Sequence, residues 1–232
     1  GAISLNDGTD NFNIGVTTNK LTIKSTTSDG SDDTSILIDA GAGGESSSRG
    51  SYIEVHGNET SADPGKVIYQ MGNVSGSVHE FRKAGGSTAV TIDSSGNMGI
   101  GSAPSSTIRN DGASAEKALQ LGTRAMIFTD SGVTTDLQNN SHFNNADNRV
   151  AMATDLGSVY RQYQGVHTFF NAASVSAGAT QTMTPRLTIA ADGTATFAND
   201  VNVGANFDVT GNAVIDGTAL VTGVLTTTAA TV

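Results

Sequence analysis

Cysteine and tryptophan are absent from this chain, and only 3 of its 232 residues are proline. The absence of cysteine excludes a disulfide framework and any thiolate metal site. Large apolar side chains are also scarce, because Leu, Ile, Val and Phe together make up about a fifth of the residues, close to the level at which chains stay disordered. A core built from one such chain would be thin. The composition therefore predicts an obligate homo-oligomer whose copies bury their strands against one another.

Positive charge is scarce as well. The chain has 12 Lys and Arg residues against 22 Asp and Glu residues, a net charge of -10, and no run of basic residues. Nucleic-acid binding needs basic patches that neutralise phosphates, so the sequence predicts no nucleic-acid partner. It also contains no apolar run long enough for a membrane-spanning helix and no visible signal peptide, so we expect no membrane insertion.

A six-residue repeat is present near the end of the chain. From Gly193 the sequence divides into GTATFA, NDVNVG, ANFDVT, GNAVID, GTALVT and GVLTTT. The third and fifth places are mostly apolar, and two residues spaced in this way face one side of a short strand. Glycine opens four of the six blocks and permits a turn between strands. A six-residue strand cannot bury its apolar face alone but stacked copies can, so the repeat predicts a β-solenoid or a fibrous β-shaft.

The phase of this repeat predicts which side chains point inward. For three chains that share one axis, we expect the trimer core to contain Phe197, Val201, Val203, Phe207, Val209, Ile215, Val221 and Leu225. The last residues, LTTTAATV, carry no cap or stop signal, which predicts that more of the fibre follows.

Turn and linker signals divide the rest of the chain into strand-rich segments. Short alternating strands between polar turns predict an all-β fold, and only 113–120 is compatible with a short helix. The expected architecture is a fibrous homotrimer with small β-sandwich-like modules and a β-helix or β-prism shaft. The predicted parts are an N-terminal β connector or shaft (1–33), a first β-module (34–100), a linker (101–116), a second β-module (117–192) and the hexad shaft (193–232).

Two short motifs occur once in each predicted module. The sequence VHEF at 78–81 is echoed by VHTF at 166–169, and TIDSSG at 91–96 is echoed by TIAADG at 188–193. The loop AASVSAGATQTM absorbs the difference in spacing. We interpret the two blocks as a tandem duplication of one β-module; the alternative is that both are generic hairpins.

The run TIDSSGNMGIGSAPSS at 91–106 resembles the "LDSSGNVGIGT-SP" motif of bacteriophage tail-fibre and tailspike stalks. The run at 165–197 is similar to the repeated β-modules of marine-phage and cyanophage fibres, in which "GxHxWYNAPSGTAG" leads into "MTLDASGNLGIG". Here Phe169 and Phe170 replace the Trp-Tyr pair, and the second GIG is lost at 194–197. The resemblance covers roughly residues 78–232 and implies homotrimers, a place on the virion beside other virion proteins, and adsorption to a host surface.

The acidic residues offer few candidates for catalysis. Most lie in turn contexts such as Asp192-Gly193, where Asp serves the turn geometry. Glu54 and Glu80 lie within predicted strands and are the candidates for the carboxylate pair of a glycan-degrading tailspike, although the interpretation that both face solvent is favoured. We therefore predict that the chain is not an enzyme.

Metal ligation is not favoured by the sequence either. The four His residues lack the His-x-His spacing of metal sites in trimeric fibres, and a structural hydrogen-bonding role is expected for His56, His79, His142 and His167. The acidic run DGSDD at 29–33 lacks the spacing and distal Glu of an EF-hand. We predict no metal and no cofactor.

The densest aromatic and cationic cluster lies in the second module. Tyr160 falls on one face of its predicted strand, whereas Arg161 and Tyr163 fall on the other. Such residues favour receptor contacts; the alternative is that they form the core of a module poor in large side chains. The candidate receptor-binding residues are Tyr160, Arg161, Tyr163, Arg149 and Arg124.

These observations favour a structural fibre of a phage virion, a tail fibre or a similar appendage, which attaches to a host-cell surface glycan or protein. Two alternatives stay open. One is a subunit of a bacterial surface adhesin or filament built from the same repeats, and the other is a polysaccharide-degrading tailspike. A long solenoid with a groove lined by carboxylates would favour the tailspike.

Overall fold

A computed structural model of the chain describes residues 3–6, 11–17, 20–25, 34–40, 50–109, 116–130, 133–220 and 222–223. Within these ranges every regular element is a β-strand, which confirms the all-β prediction. No helix in the described part has the length and apolar character needed to cross a membrane. The chain separates into two units, Gly1–Ala198 and Asn199–Val232.

The first six strands form two small antiparallel sheets. In each of them the strands follow one another in chain order, β1-β2-β3 and β4-β5-β6. The runs FNIGV and YIEVH show the alternation of apolar and other residues that is typical of such strands. Their bounds are β1 Ile3–Asn6, β2 Asn11–Thr17, β3 Lys20–Ser25, β4 Ser35–Asp39, β5 Tyr52–His56 and β6 Val67–Gln70.

Ten of the remaining strands form one large sheet in the order β18-β17-β16-β15-β12-β11-β10-β9-β8-β7. All neighbours are antiparallel except β9 and β10, which run parallel with Met98 beside Leu119. The short strands β13 and β14 form a separate two-stranded sheet, and Val150 of β14 also makes an isolated antiparallel bridge to Thr180. The bounds are β7 Val78–Arg82, β8 Thr88–Asp93, β9 Met98–Ile100, β10 Lys117–Leu121, β11 Ala125–Asp130, β12 Thr134–Asn139, β13 His142–Phe143, β14 Arg149–Val150, β15 Asp155–Tyr163, β16 Val166–Val175, β17 Thr184–Ile189 and β18 Ala195–Phe197.

The two echoed motifs occupy equivalent meanders, β7-β8-β9 and β16-β17-β18. His79 pairs with Ile92 in the first meander, and His167 pairs with Ile189 in the second. The following turns also match, because Gly96 and Gly193 both adopt positive φ and donate to the carbonyl three residues earlier. The strands that precede the meanders differ. In the first block they form the separate sheet β4-β5-β6, whereas in the second they continue the same sheet.

The glycines of the motif GNMGIG have separate structural reasons. Gly96 adopts a φ of 81° in the β8–β9 turn, a conformation that favours glycine. Gly99 lies against the backbone of Ser102, which follows β9. A Cβ atom at position 99 would be 2.2 Å from the Ser102 carbonyl oxygen, so the position requires glycine. Thr196 occupies the position of Gly99 in the second meander and is exposed there. Because an exposed side chain has room at this position, a glycine is not required, which accounts for the loss of the second GIG.

One face of the large sheet is covered by the chain itself. Met126 and Phe128 are fully buried there, and Ile108, Phe143 and Met152 pack against them. Arg109 donates its backbone N–H to the Phe143 carbonyl at 2.8 Å, which joins the segment after β9 to the β13–β14 hairpin. We call this side of the sheet the covered face and the opposite side the open face.

The second unit has no strand in its described residues, 199–220 and 222–223, and residues 199–220 are all exposed. The first hexad block forms strand β18, whereas the hexad strands expected within 199–220 are not formed in a single chain. The physical reason is that a six-residue strand needs a hydrogen-bonded neighbour, and the described residues of this unit supply none. The predicted core residues Val221 and Leu225 lie outside the described residues.

Candidate functional site

The predicted receptor-binding residues do not form one patch. Strand β15 alternates as expected, so that Tyr160 lies on the open face while Arg161 and Tyr163 lie on the covered face. Arg149, on β14, joins Arg161 beneath the covered face. Arg124, in the β10–β11 turn, instead pairs with Asp155 at the start of β15.

Arg149 and Arg161 converge on one buried carboxylate. Asp136 on β12 is completely buried, and its two oxygens accept hydrogen bonds of 2.9 Å from Nε and Nη2 of Arg161. Arg149 also donates to Asp136. The guanidinium of Arg149 lies 4.2 Å from the centre of the Phe143 ring, within the range of a cation–π contact. This cluster fixes the β13–β14 hairpin to the sheet.

The pKa values of the two guanidinium groups in this cluster shift in opposite directions. Burial lowers the pKa of Arg149, and the nearby charge of Arg161 adds to this effect against the attraction of Asp136. Hydrogen bonds to Asp136 raise the pKa of Arg161 against the effect of its own burial. Both arginines therefore form ion pairs with the buried carboxylate, and the Arg161 side chain is partly exposed at the edge of the cluster.

Two further predicted residues are accessible at the surface. Tyr163 ends β15 and is 42% exposed. Arg124 forms an exposed ion pair with Asp155, whose pKa is lowered by the backbone N–H of Leu156 and then by Arg124. An exposed pair of this kind contributes little to stability, so the Arg124 side chain can exchange its partner for a ligand.

A second arginine cluster was not predicted from the sequence. Arg109 lies among the carboxylates of Glu116, Asp130 and Asp147, with an N–O distance of 2.7 Å to Asp130. Burial lowers the pKa of Arg109, but hydrogen bonds to Asp147 and Asp130 outweigh it and raise the pKa overall. Arg109 lies in the predicted linker together with Glu116, and no local pattern indicates that Asp130 and Asp147 also surround it.

The open face carries a continuous row of side chains that crosses all ten strands. The strand registers place one member of this row on each strand, opposite the next. Nine members are apolar or aromatic, and none of the ten is buried. We call it the cross-sheet row, and its members in spatial order are His79, Ile92, Met98, Leu119, Ile127, Leu137, Tyr160, Phe169, Leu187 and Phe197.

Aromatic stacking stiffens the centre of this row. The rings of Tyr160 and Phe169 stack with centroids 4.7 Å apart. The hydroxyl of Tyr160 lies 2.6 Å from Nδ1 of His167, one pair further along the same face. Beside them is a depression of about 440 Å³ whose lining includes Leu121, Ile127 and Leu137. This is an extended apolar strip, which suits a protein partner better than a small ligand.

Charge is segregated between the two faces of the sheet. Strand positions on the open face hold no Asp or Glu, and Lys117 is their fixed charge. The acidic residues of these strands occupy the alternating positions, on the opposite side; they are Glu80, Asp93, Asp130, Asp136 and Asp155. In a chain of net charge -10, the strand positions of the open face thus carry no negative charge.

The candidate catalytic carboxylates lie in separate sheets. Glu54 on β5 is only 2% exposed and its carboxylate lies 3.2 Å from Nε2 of His56, so the interpretation that it faces solvent is wrong. Glu80 on β7 accepts hydrogen bonds from Arg82 and Thr88 and is exposed, as expected. Glu54 lies on the central strand of the sheet β4-β5-β6, and strand alternation alone does not indicate its burial.

No cluster of three or more potential metal-ligating side chains occurs among the described residues, and the acidic run at 29–33 lies outside them. The hydrogen-bonding role expected for histidine is seen at His142, whose Nε2 lies 2.8 Å from Thr107 Oγ1, and at His167. No protein-family model, curated protein or solved structure matched the chain in the comparisons. A function must therefore be inferred from the geometry and from the motifs.

Proposed function

We propose that this chain is a structural subunit of a fibrous virion appendage, such as a phage tail fibre, which assembles as a homotrimer and attaches to a host-cell surface. The observation that carries the proposal is the state of the hexad segment in a single chain. Its regularly spaced apolar residues, among them Phe207 and Ile215, are 76% and 63% exposed and have no strand partner.

Exposure of this kind is unfavourable for an isolated chain. Burying one such side chain contributes about 1.5–3 kcal/mol, and the third and fifth places of the six blocks hold eight of them. Three copies wound about one axis bury these side chains against each other and provide the missing backbone hydrogen-bond partners. The proposed trimer core is the one expected from the phase of the repeat.

Attachment is assigned to the strand-rich unit rather than to the hexad segment. Binding hot spots favour Tyr, Trp and Arg, and the described hexad residues include none of these. The strand-rich unit presents Tyr163 and Arg124 at its surface, with Arg161 at the edge of its cluster. Three copies on one trimer convert weak single contacts with a surface glycan or protein into avidity.

The test is to locate the chain on particles. Antibodies raised against the purified chain are applied to phage particles and to bacterial cells from the source culture, and gold labels are viewed by electron microscopy. We expect labels on particle appendages, and we expect the purified chain to compete with the particles for adsorption to cells. Labels confined to the surface of uninfected bacteria would instead identify an adhesin or filament subunit.

A further inference from the structure

We infer that the open face of the ten-stranded sheet is a second subunit interface, on which the cross-sheet row packs against the same row of other copies of this chain. The inference rests on the proposed self-assembly and adds to it an interface outside the hexad segment. The occupant is a further copy of the chain, and three features of the face indicate this.

The first feature is charge. Two copies of a protein with a net charge of -10 repel each other over most of their surfaces. The strand positions of the open face hold no acidic residue, so like faces can approach without buried carboxylates. A partner that carried a basic patch would find no complementary charge here, whereas another copy of this face matches it.

The second feature is size. Ten strands about 4.8 Å apart and one residue row about 7 Å wide give an apolar strip on the order of 350 Å², and the neighbouring rows on its two sides raise the area of the face to about 1,000 Å². Stable interfaces bury about 800 Å² per partner, so the strip and its borders together have the right size for one subunit interface.

The third feature is the shape of the strip. At its centre the row is one residue wide, and polar side chains border Leu137 and Tyr160 on both sides. Asn139 and Ser158 lie on one side, and Thr135 and Gln162 lie on the other. A narrow apolar line with polar borders fits three copies arranged about an axis. Each residue of the row then contacts the same residue of the other two copies, and the polar border residues form the rim of the interface.

The experiment uses the full chain and exploits its lack of cysteine. Leu137→Cys places one thiol on the row, and Tyr163→Cys places one on the opposite face. The two side chains are similarly exposed in a single chain, at 48% and 42%. In the assembled protein we expect the Leu137→Cys thiol to react with a maleimide more than about tenfold more slowly than the Tyr163→Cys thiol, because labelling at Leu137 requires the interface to open.

A charge substitution supplies an independent measurement. Leu137→Asp is expected to shift the assembly toward smaller species in sedimentation, whereas Thr135→Asp, on the same strand and face but in the polar border, is expected to keep the wild-type mass. Circular dichroism shows whether each variant is folded. If Leu137→Asp does not fold, the labelling comparison of the two cysteine variants decides alone.

The outcomes separate this inference from the proposed function. Equal labelling of the two thiols in an assembled protein, or a wild-type mass for folded Leu137→Asp, would overturn the open-face interface and leave assembly through the hexad segment intact. A folded wild-type chain that sediments as a monomer would overturn both. Slow labelling at Leu137 in an assembly of wild-type mass supports the inference.

Discussion

At the scale of single residues, the covered face depends on Asp136. Its carboxylate is completely buried between Arg149 and Arg161, and it forms an ion pair with each of them. Asp136→Asn keeps the size of the side chain and removes the charge, which leaves two guanidinium groups without their counter-ion. Because breaking a buried ion pair is costly, we expect a loss of about 3 kcal/mol in the free energy of unfolding, measured by chemical denaturation at matched protein concentrations.

The exposed pair of Arg124 and Asp155 is the matched control for this substitution. Asp155→Asn removes the same charge at a surface position where solvent screens the interaction. We expect its denaturation midpoint to stay close to that of the wild type. Equal losses for Asp136→Asn and Asp155→Asn would mean that the burial of Asp136 does not govern the stability of the sheet.

Gly99 is a second residue whose role is set by geometry. Gly99→Ala places a methyl group 2.2 Å from the Ser102 carbonyl oxygen, so the returning chain must move. Overpacking of this kind costs about 1–3 kcal/mol, measured as a lower denaturation midpoint. Thr196→Ala tests the equivalent position of the second meander, where the side chain is exposed, and is expected to be tolerated. A Gly99→Ala variant as stable as Thr196→Ala would contradict this role.

His142 links the covered face to pH. Burial, and then the charge of Arg149, lower its pKa from the usual 6.5. The unfolded chain therefore binds the proton more readily than the folded chain, so stability is lost as the pH falls from 6.5 toward the lowered value. We expect the melting temperature to drop between about pH 7.5 and about pH 5.5, with a smaller drop for His142→Gln. His79→Gln, on the open face, should retain the wild-type drop.

At the scale of elements, the hexad segment allows a direct test of which side chains point inward. Ile215 occupies an inward place of the repeat and its neighbour Val214 an outward one, although both are exposed in a single chain, at 63% and 81%. Ile215→Asp would bury three unpaired carboxylates near one axis, at a cost of several kcal/mol per ion. We expect it to block assembly in sedimentation, while Val214→Asp assembles normally. The reverse result would show that the phase of the repeat is wrong.

Elements fixed by local signals were predictable from the sequence. The echoed VH and TI motifs carry their own alternation and a turn glycine, and for that reason His79 and His167 hold equivalent registers. The same alternation placed Tyr160 and Arg161 on opposite faces. The first hexad block forms β18 because β17 pairs with it. The described blocks after residue 198 form no strand, and in the proposed trimer their pairing partners are other copies of the chain. The broader duplication depends on long-range pairing, and its preceding strands divide differently between sheets.

The candidate site was less predictable, because burial is a property of the whole fold. Nothing in the sequence TTDLQNN distinguishes Asp136 from other acids, yet a hairpin that begins six residues later covers it. Glu54 is also buried, although the alternation of its strand gives no signal of it. The cross-sheet row was invisible in the sequence, since its members come from ten strands and are aligned only by the registers between them.

At the scale of the whole molecule, we propose that a single chain is an incomplete unit, which shares its core with identical copies. Sedimentation equilibrium of the purified full chain in non-denaturing buffer measures this directly. We expect a mass three times the 23.5 kDa of one chain, with the β-sheet signature in circular dichroism. A stable, folded species with a mass of 23.5 kDa across the accessible concentration range would contradict it.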